Sequence, residues 1–331
     1  MGKFVMLDSH TFSKGNLDIT KKLLIEQGID AIFANCKRKE DIIEQAKNAD
    51  AIGINYLHID EEIMSQLEKC KGIVRYGIGT DTIDIMAATK KGIAVCNLPD
   101  YCVEEVATHT MALLLDLCRK ITYFNRKVGT GIWNSEYGYE IHRISSLTIG
   151  IIGFGNIGRL FASYVRAMNM NVIVYDPYKE DSVFEEYGVK KVTLEELYQH
   201  SDVISIHIPL KDETYHLICK ESLNKMKDGV MIINTARGPI INMHDLIAAL
   251  KSKKVMGVGL DVLEEEPIEQ NNELLKFDSV VITPHSAYNS IESSAIQHRK
   301  VAETVIELLK GKIPSNTVNK TNLDSKSIIK K

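Results

Sequence analysis

Through the first hundred residues, short apolar runs alternate with amphipathic stretches. Residues 3–8 (KFVMLD), 31–35 (AIFAN), 51–55 (AIGIN), 72–77 (GIVRYG) and 93–97 (IAVCN) read as strands. Between them, residues 17–28, 40–49, 61–71 and 84–92 carry apolar positions at helical spacing, the first stretch ended by Gly28. Strands separated by single helices imply βαβ units and a parallel sheet. Near residue 98 the rhythm changes. Residues 103–127 (VEEVATHTMALLLDLCRKITYFNRK) predict one long helix, apolar on much of its circumference and so buried between domains or subunits. A second alternating series follows, with strands expected within 147–155, 171–176, 203–209, 230–236, 255–262 and 280–285. These are rich in Val and Ile on both faces, as strands covered by helices on two sides must be. A final amphipathic helix is expected at about residues 290–310. The polar, lysine-rich stretch after it is expected to fray.

One segment of the second series carries chemistry. Gly153-Phe154-Gly155-Asn156-Ile157-Gly158 follows a strand and opens the helical stretch NIGRLFASYVRAMN, and the strand NVIVYD ends in Asp176. This is a complete βαβ unit with a GxGxxG turn, the arrangement that binds a dinucleotide. Gly153 permits the tight turn, Gly155 lets the backbone approach a pyrophosphate, and Gly158 lets the helix lie close to the strand. The helix start then offers the amides of Asn156 and Ile157 to phosphate oxygens. Asp176, about twenty residues beyond the middle glycine, stands where an acid accepts hydrogen bonds from ribose hydroxyls. Its charge repels a 2′-phosphate, so NAD is the expected cofactor rather than NADP. A doubly wound unit already precedes this loop, so the dinucleotide domain reads as an insertion. The expected fold class is α/β, with two doubly wound parallel-sheet domains. Residues 1–98 form the first segment of a flavodoxin-like substrate domain, 99–288 an inserted Rossmann domain with a long dimerisation helix, and 289–331 the return to the substrate domain.

Three later strands each end in a polar group. Arg237-Gly238-Pro239 follows VMIINTA, Glu264-Glu265-Glu266-Pro267 follows VMGVGLDV, and His285 follows VVITP. Open parallel sheets hold ligands at this edge. An Arg fork suits a carboxylate and a neighbouring carbonyl oxygen. A carboxylate hydrogen-bonded to an imidazole favours its charged form, equipping His285 as acid in reduction and base in oxidation. Together they supply what hydride transfer to a 2-keto acid demands of a protein: a cation for the carboxylate, a proton donor and a group that keeps the donor charged.

At these residues the chain resembles the D-isomer-specific 2-hydroxyacid dehydrogenases, over about residues 50–319. The resemblance rests on RYGIGTDTID, VEEVATHTMALLL, GIIGFGNIGR with YDPY, HIPL, INTARGPIIN, GLDVLEEEP and TPHSAY, in that order. It implies that Arg237 binds and polarises the substrate, that Glu266 partners the histidine and that His285 is the acid/base. It further implies that Asp261 holds the nicotinamide amide and that Thr235, Ala236, His207 and Pro209 line the cofactor. The amides of Ile78 and Gly79 would cradle the substrate carboxylate as an anion nest. Arg75 matches an arginine that faces the substrate in some members, notably the C-terminal-binding-protein corepressors, and Tyr288 stands where those place a pocket-walling tryptophan. Tyr101 either faces the pocket or packs at the hinge. The expected activity is interconversion of a small 2-keto acid and its D-2-hydroxy acid. A corepressor-like dinucleotide sensor with weak dehydrogenase activity is the alternative, disfavoured by a short polar tail where the corepressors carry extended recruitment segments.

Composition narrows the setting. At 331 residues the chain exceeds what one core usually supports. With 40 Lys and Arg against 44 Asp and Glu, the net charge of −4 gives no footprint for nucleic acid or an anionic membrane. No apolar run approaches the ~18–20 residues that span a bilayer. MGKFVMLDS begins a strand at once rather than a signal peptide. The six cysteines, Cys36, Cys70, Cys96, Cys102, Cys118 and Cys219, show no CxxC pair and no clustering with histidine, so reduced thiols and no metal are expected. A cytoplasmic homodimer is the expected state.

Overall fold

The computed structural model describes residues 2–12, 14–136 and 140–323. The chain falls into two compact units, one of residues 1–101 with 290–331 and one of residues 102–289. Residues 324–331, most of the tail expected to fray, lie outside the described residues.

In the first unit the elements run β1 (Lys3–Met6), α1 (Lys14–Glu26), β2 (Asp30–Phe33), α2 (Lys39–Ala46), β3 (Ala51–Ile54), α3 (Glu61–Ser65), β4 (Gly72–Arg75), α4 (Ile85–Lys90) and β5 (Ala94–Cys96). All five strands are parallel, in the order β2-β1-β3-β4-β5. That is the flavodoxin-like order, with its switch point between β1 and β3. Val5, Ile52, Ile54 and Ile73 point into one core with Ile63, Met64 and Ala88 of the covering helices. The helix expected over 61–71 ends at Ser65, because Leu67 and Cys70 leave the helical path to enter that core. The last helix, which returns to this unit at Ile291–Leu309, opens with a capping box between Ser290 and Ser293. It buries Gln297, whose amide donates to the Tyr76 carbonyl at 3.0 Å.

The second unit contains α5 (Val103–Arg119), α6 (Ile121–Gly129), β6 (Thr148–Ile152), α7 (Asn156–Ala167), β7 (Asn171–Tyr175), α8 (Asp181–Glu186), β8 (Lys190–Lys191), α9 (Leu194–His200), β9 (Val203–Ile206), α10 (Lys220–Lys225), β10 (Val230–Asn234), α11 (Met243–Lys251), β11 (Val255–Leu260) and β12 (Val280–Ile282); the returning helix is α12. The sheet is parallel throughout, ordered β12-β11-β10-β9-β6-β7-β8. This is the dinucleotide-binding order extended by one strand, with its switch point between β6 and β9. Every residue of β9 and β10 is buried, as a strand covered on both faces requires.

The single helix expected over 103–127 is two helices. Lys120 takes a left-handed backbone, φ 56°. Asp116 causes the break: its carboxylate accepts the Thr122 amide at 2.7 Å and the Thr122 hydroxyl, drawing that residue out of the helical ladder. The apolar face of α5 is also covered within its own unit, where Leu113, Leu114 and Leu117 pack with Ile149, Ile151 and Phe161. Within this stretch of the chain, the exposed apolar side chains lie instead on α6 and after it, with Ile121 60% and Trp133 89% exposed.

Candidate active site

The glycine loop lies between β6 and α7, beside the switch point of the second sheet. Gly153 has φ 95°, and a Cβ there would stand 2.6 Å from the His207 carbonyl oxygen. A Cβ on Gly158 would stand 2.3 Å from the Gly153 carbonyl oxygen. Strand end and helix start therefore meet at a distance that only glycine allows. Gly155 is the N-cap of α7 and offers no side chain, so the first amides of the helix, from Asn156 onward, keep their donor capacity for a ligand. Asp176 is buried just past β7, where its carboxylate accepts the amides of Phe154 at 2.8 Å and Tyr178 at 2.9 Å. A carboxylate has about four lone-pair positions, so acceptor capacity remains for ribose hydroxyls. These features fit a dinucleotide with an unphosphorylated ribose.

His207 and Pro209 follow β9. The His207 Nε2 meets Ser205 Oγ at 2.9 Å, and burial pushes its pKa down to about 3, which keeps the ring neutral. Thr235 and Ala236 follow β10. Thr235 shares a hydrogen bond with Thr110 of α5 at 2.9 Å, and the Ala236 amide donates to Asn234 Oδ1 at 2.9 Å.

Strands β10, β11 and β12 are neighbours, so the groups after them share one rim. Arg237 donates from Nη1 to the Ala236 carbonyl at 2.7 Å, and its own carbonyl accepts Asn234 Nδ2 at 2.9 Å. Glu266 meets His285 Nδ1 through Oε2 at 2.8 Å and accepts the Leu263 amide on Oε1 at 2.9 Å. Of the two neighbouring glutamates, Glu264 turns to His216 and Glu265 is exposed. Burial works against the Glu266 carboxylate. The His285 hydrogen bond, the Leu263 amide and the charges of His285 and Arg237 outweigh it, holding its pKa below the ordinary glutamate value.

His285 itself has φ 50°, a left-handed conformation that costs roughly 1–2 kcal/mol for a residue with a Cβ. Asp261 offsets that cost. Its carbonyl accepts the His285 amide at 2.8 Å, and its buried carboxylate accepts the Thr283 hydroxyl at 2.6 Å and the amides of Ser286 and Ala287 at 2.8 and 2.9 Å. Hydrogen bonds to a charged group contribute about 1.5–3 kcal/mol each, so three of them exceed the strain. Three of roughly four lone-pair positions on Asp261 are thereby engaged, leaving capacity for one further donor such as a carboxamide. His109 of α5 joins this cluster, with Nε2 2.9 Å from Thr283 Oγ1 and 3.7 Å from Asp261. His109 lies outside the strand-end pattern that marks the other groups; its one signal in the sequence is a histidine inside an apolar helix.

In the first unit, the N–H groups of Ile78 and Gly79 donate to no acceptor among the described residues, while the Gly77 and Ile78 carbonyls are engaged by Leu98 and Asn97. The Arg75 guanidinium lies over this turn, so that a Cβ on Gly77 would stand 1.3 Å from Arg75 Nη1. Tyr101 is buried at the end of this unit's first segment, and Tyr288 is half-buried in the second unit.

A dinucleotide cradle at the switch point and an Arg, Glu, His rim on adjacent strands define a nicotinamide-dependent oxidoreductase. The sequence profile described as "D-isomer specific 2-hydroxyacid dehydrogenase, NAD binding domain" matches residues 111–287. A glyoxylate reductase of Korarchaeum cryptofilum is 37% identical over 289 residues, covering 85% of this chain and 86% of that protein. A hydroxypyruvate reductase of Blautia hydrogenotrophica is 35% identical over 326 residues, covering 96% and 100%. Among solved structures, a D-lactate dehydrogenase of Aquifex aeolicus complexed with NAD and lactic acid superposes with a TM-score of 0.85 at 30% identity, covering 96% of this chain and 99% of the other. The chain belongs to the D-isomer-specific 2-hydroxyacid dehydrogenases and is an NAD-dependent enzyme of that family. Among its described residues no helix is long and apolar enough to cross a membrane.

Proposed function

We propose that this enzyme reduces glyoxylate and hydroxypyruvate to the corresponding 2-hydroxy acids. The observation that carries the reading is the His285–Glu266 pair at 2.8 Å, on the same rim as Arg237. Arg237 binds the substrate carboxylate and polarises the keto oxygen. His285 donates a proton to that oxygen from Nε2, the nitrogen opposite the one Glu266 holds, and Glu266 fixes the orientation of the ring. NADH, when bound, supplies the hydride. The amides of Ile78 and Gly79 beneath Arg75 form a nest for a carboxylate, with Tyr101 and Tyr288 as further substrate-side residues. Asp176, the loop from Gly153 to Gly158, His207, Pro209, Thr235, Ala236 and Asp261 serve the cofactor. The relatives named for glyoxylate and hydroxypyruvate support these two keto acids as substrates.

The test is NADH oxidation with a panel of keto acids, including pyruvate, phosphohydroxypyruvate, branched and aromatic members. Glyoxylate and hydroxypyruvate are expected to lead in kcat/KM. Failure of both to oxidise NADH would dismiss the reading. With NADPH, kcat/KM is expected to fall at least about tenfold, or ~1.4 kcal/mol, because Asp176 is locked by two backbone amides and cannot turn away from a 2′-phosphate. Asp176→Ala should narrow that gap, and equal use of both cofactors by the wild type would refute the role of Asp176.

The exposed side chains of Ile121 and Trp133 support a homodimer formed through α6 and the segment after it, and a sequence whose cysteines form no CxxC pair suits the cytoplasm. Light scattering at micromolar concentration should give twice the 37.2 kDa chain mass, and Trp133→Glu with Ile121→Glu should shift it to one. A wild-type mass equal to one chain rules the dimer out.

A further inference from the structure

The Glu264-Glu265-Glu266 run carries a second histidine–carboxylate pair. His216 Nε2 lies 2.6 Å from Glu264 Oε1, and its ring stacks on Tyr215 with centroids 3.9 Å apart. Its other nitrogen faces Asn242 Nδ2 at 3.2 Å. The Asn242 amide cannot be flipped without loss, because its Oδ1 accepts the Asp245 amide at 3.1 Å as the N-cap of α11. Nδ2 therefore donates to the ring, which places the imidazole proton on Nε2, directed at Glu264. Glu264 Oε2 accepts the Met243 amide at 3.1 Å, so each of its oxygens is engaged.

This network joins two loops. The His216 amide donates to the Pro239 carbonyl at 2.9 Å, in the turn that begins with Arg237. On the other side, Glu264 lies next to Leu263, whose amide holds Glu266 Oε1. The two loops also touch directly. A Cβ on Gly238 would stand 1.8 Å from the Leu263 carbonyl oxygen and 2.5 Å from the Glu264 nitrogen. We propose that His216 and Glu264 are a positioning pair, which clamps the Arg237 turn onto the Glu266 loop so that cation and proton donor address the same substrate. The inference rests on the roles proposed above for Arg237 and Glu266. It assigns the first glutamate of the Glu264-Glu265-Glu266 run to geometry and leaves proton chemistry to the third.

The backbone at His216 is left-handed, φ 51°, so asparagine is the tolerated truncation there. In His216→Asn the side-chain amide reaches only as far as Nδ1 does, and the contact to Glu264 is lost. In His216→Gln the amide nitrogen extends to the position of Nε2 and restores a donor. With glyoxylate or hydroxypyruvate, His216→Asn is expected to lower kcat/KM by roughly ten- to a hundredfold, as slight misplacement of reacting groups does. KM should rise and kcat fall together. The pH at which reduction declines should shift as Glu266 loosens. The dissociation constant of NADH, read by its fluorescence, should stay within about twofold, because the glycine loop and Asp176 lie outside the two clamped loops and Asn234 holds the Ala236 amide without them. His216→Gln should recover most of the activity, and Glu264→Gln should resemble the Asn variant because one of its two accepted hydrogen bonds is lost. A His216→Asn enzyme with wild-type kcat/KM and pH profile overturns the proposal. So does a Gln variant as impaired as the Asn one, or an Asn variant whose defect is a lowered melting temperature with parallel loss of NADH binding. Arg237→Ala serves as control: if it too leaves kcat/KM unchanged, the underlying reading of the site fails rather than the clamp alone.

Discussion

Replacing His285 with alanine is expected to lower kcat for keto-acid reduction by about 10²–10⁴, the range over which a positioned acid contributes. NADH binding should survive, since the glycine loop sits across the sheet between β6 and α7. The partner carboxylate gives this prediction a sign in pH. Reduction takes up a proton at the keto oxygen, so its rate should decline as pH rises; oxidation releases that proton and should rise over the same range. Glu266 is held below the ordinary glutamate value of 4.5, so its carboxylate stays charged at neutral pH beside the ring. Glu266→Gln removes the negative charge beside the proton-donating ring. Both profiles should therefore move to lower pH, with NADH affinity nearly intact. Initial rates in both directions across pH decide it: overlaid profiles for the Gln variant and the wild type would show that the 2.8 Å contact does not govern proton transfer.

The parallel strands were legible because burial on two faces leaves runs of Val and Ile that few other contexts produce. β8 was not, since Lys190–Lys191 is an exposed two-residue edge with no apolar run to betray it. The division of the long helix was equally hidden. Residues 103–127 keep their apolar spacing through the break, and what ends α5 is the Asp116 side chain competing for the Thr122 amide. At the site, Arg237, Glu266 and His285 could be read because each follows a recognisable strand, and a parallel sheet puts such groups on one rim. A run of three glutamates gives no sign of which carboxylate turns where. That choice is made by a left-handed histidine some fifty residues upstream in the chain, at His216, and by the amide of Met243. The support of the His285 loop was hidden for a similar reason. Asp261 reads as a strand-end acid open to a ligand, yet three donors from residues 283–287 already hold its carboxylate.

Arg237→Ala is expected to damage binding and turnover together, lowering kcat/KM by roughly 10²–10⁴. The magnitude follows from two charge-assisted hydrogen bonds to the substrate at about 1.5–3 kcal/mol each. The loss should not be recovered by rearrangement, because the turn is rigid. Asn234 accepts the Ala236 amide and donates to the Arg237 carbonyl, and Gly238 is packed against the Leu263 backbone. Arg237→Lys keeps the charge and loses the planar fork, so it should fall between alanine and wild type rather than match the latter. The two halves of the effect separate in steady-state kinetics: carboxylate binding appears in KM, and polarisation of the keto oxygen appears in kcat. Millimolar guanidinium should restore part of the alanine variant's rate by refilling the site. If Arg237→Ala keeps kcat/KM within about threefold of the wild type, the guanidinium is a strand-end surface group and the carboxylate is bound elsewhere.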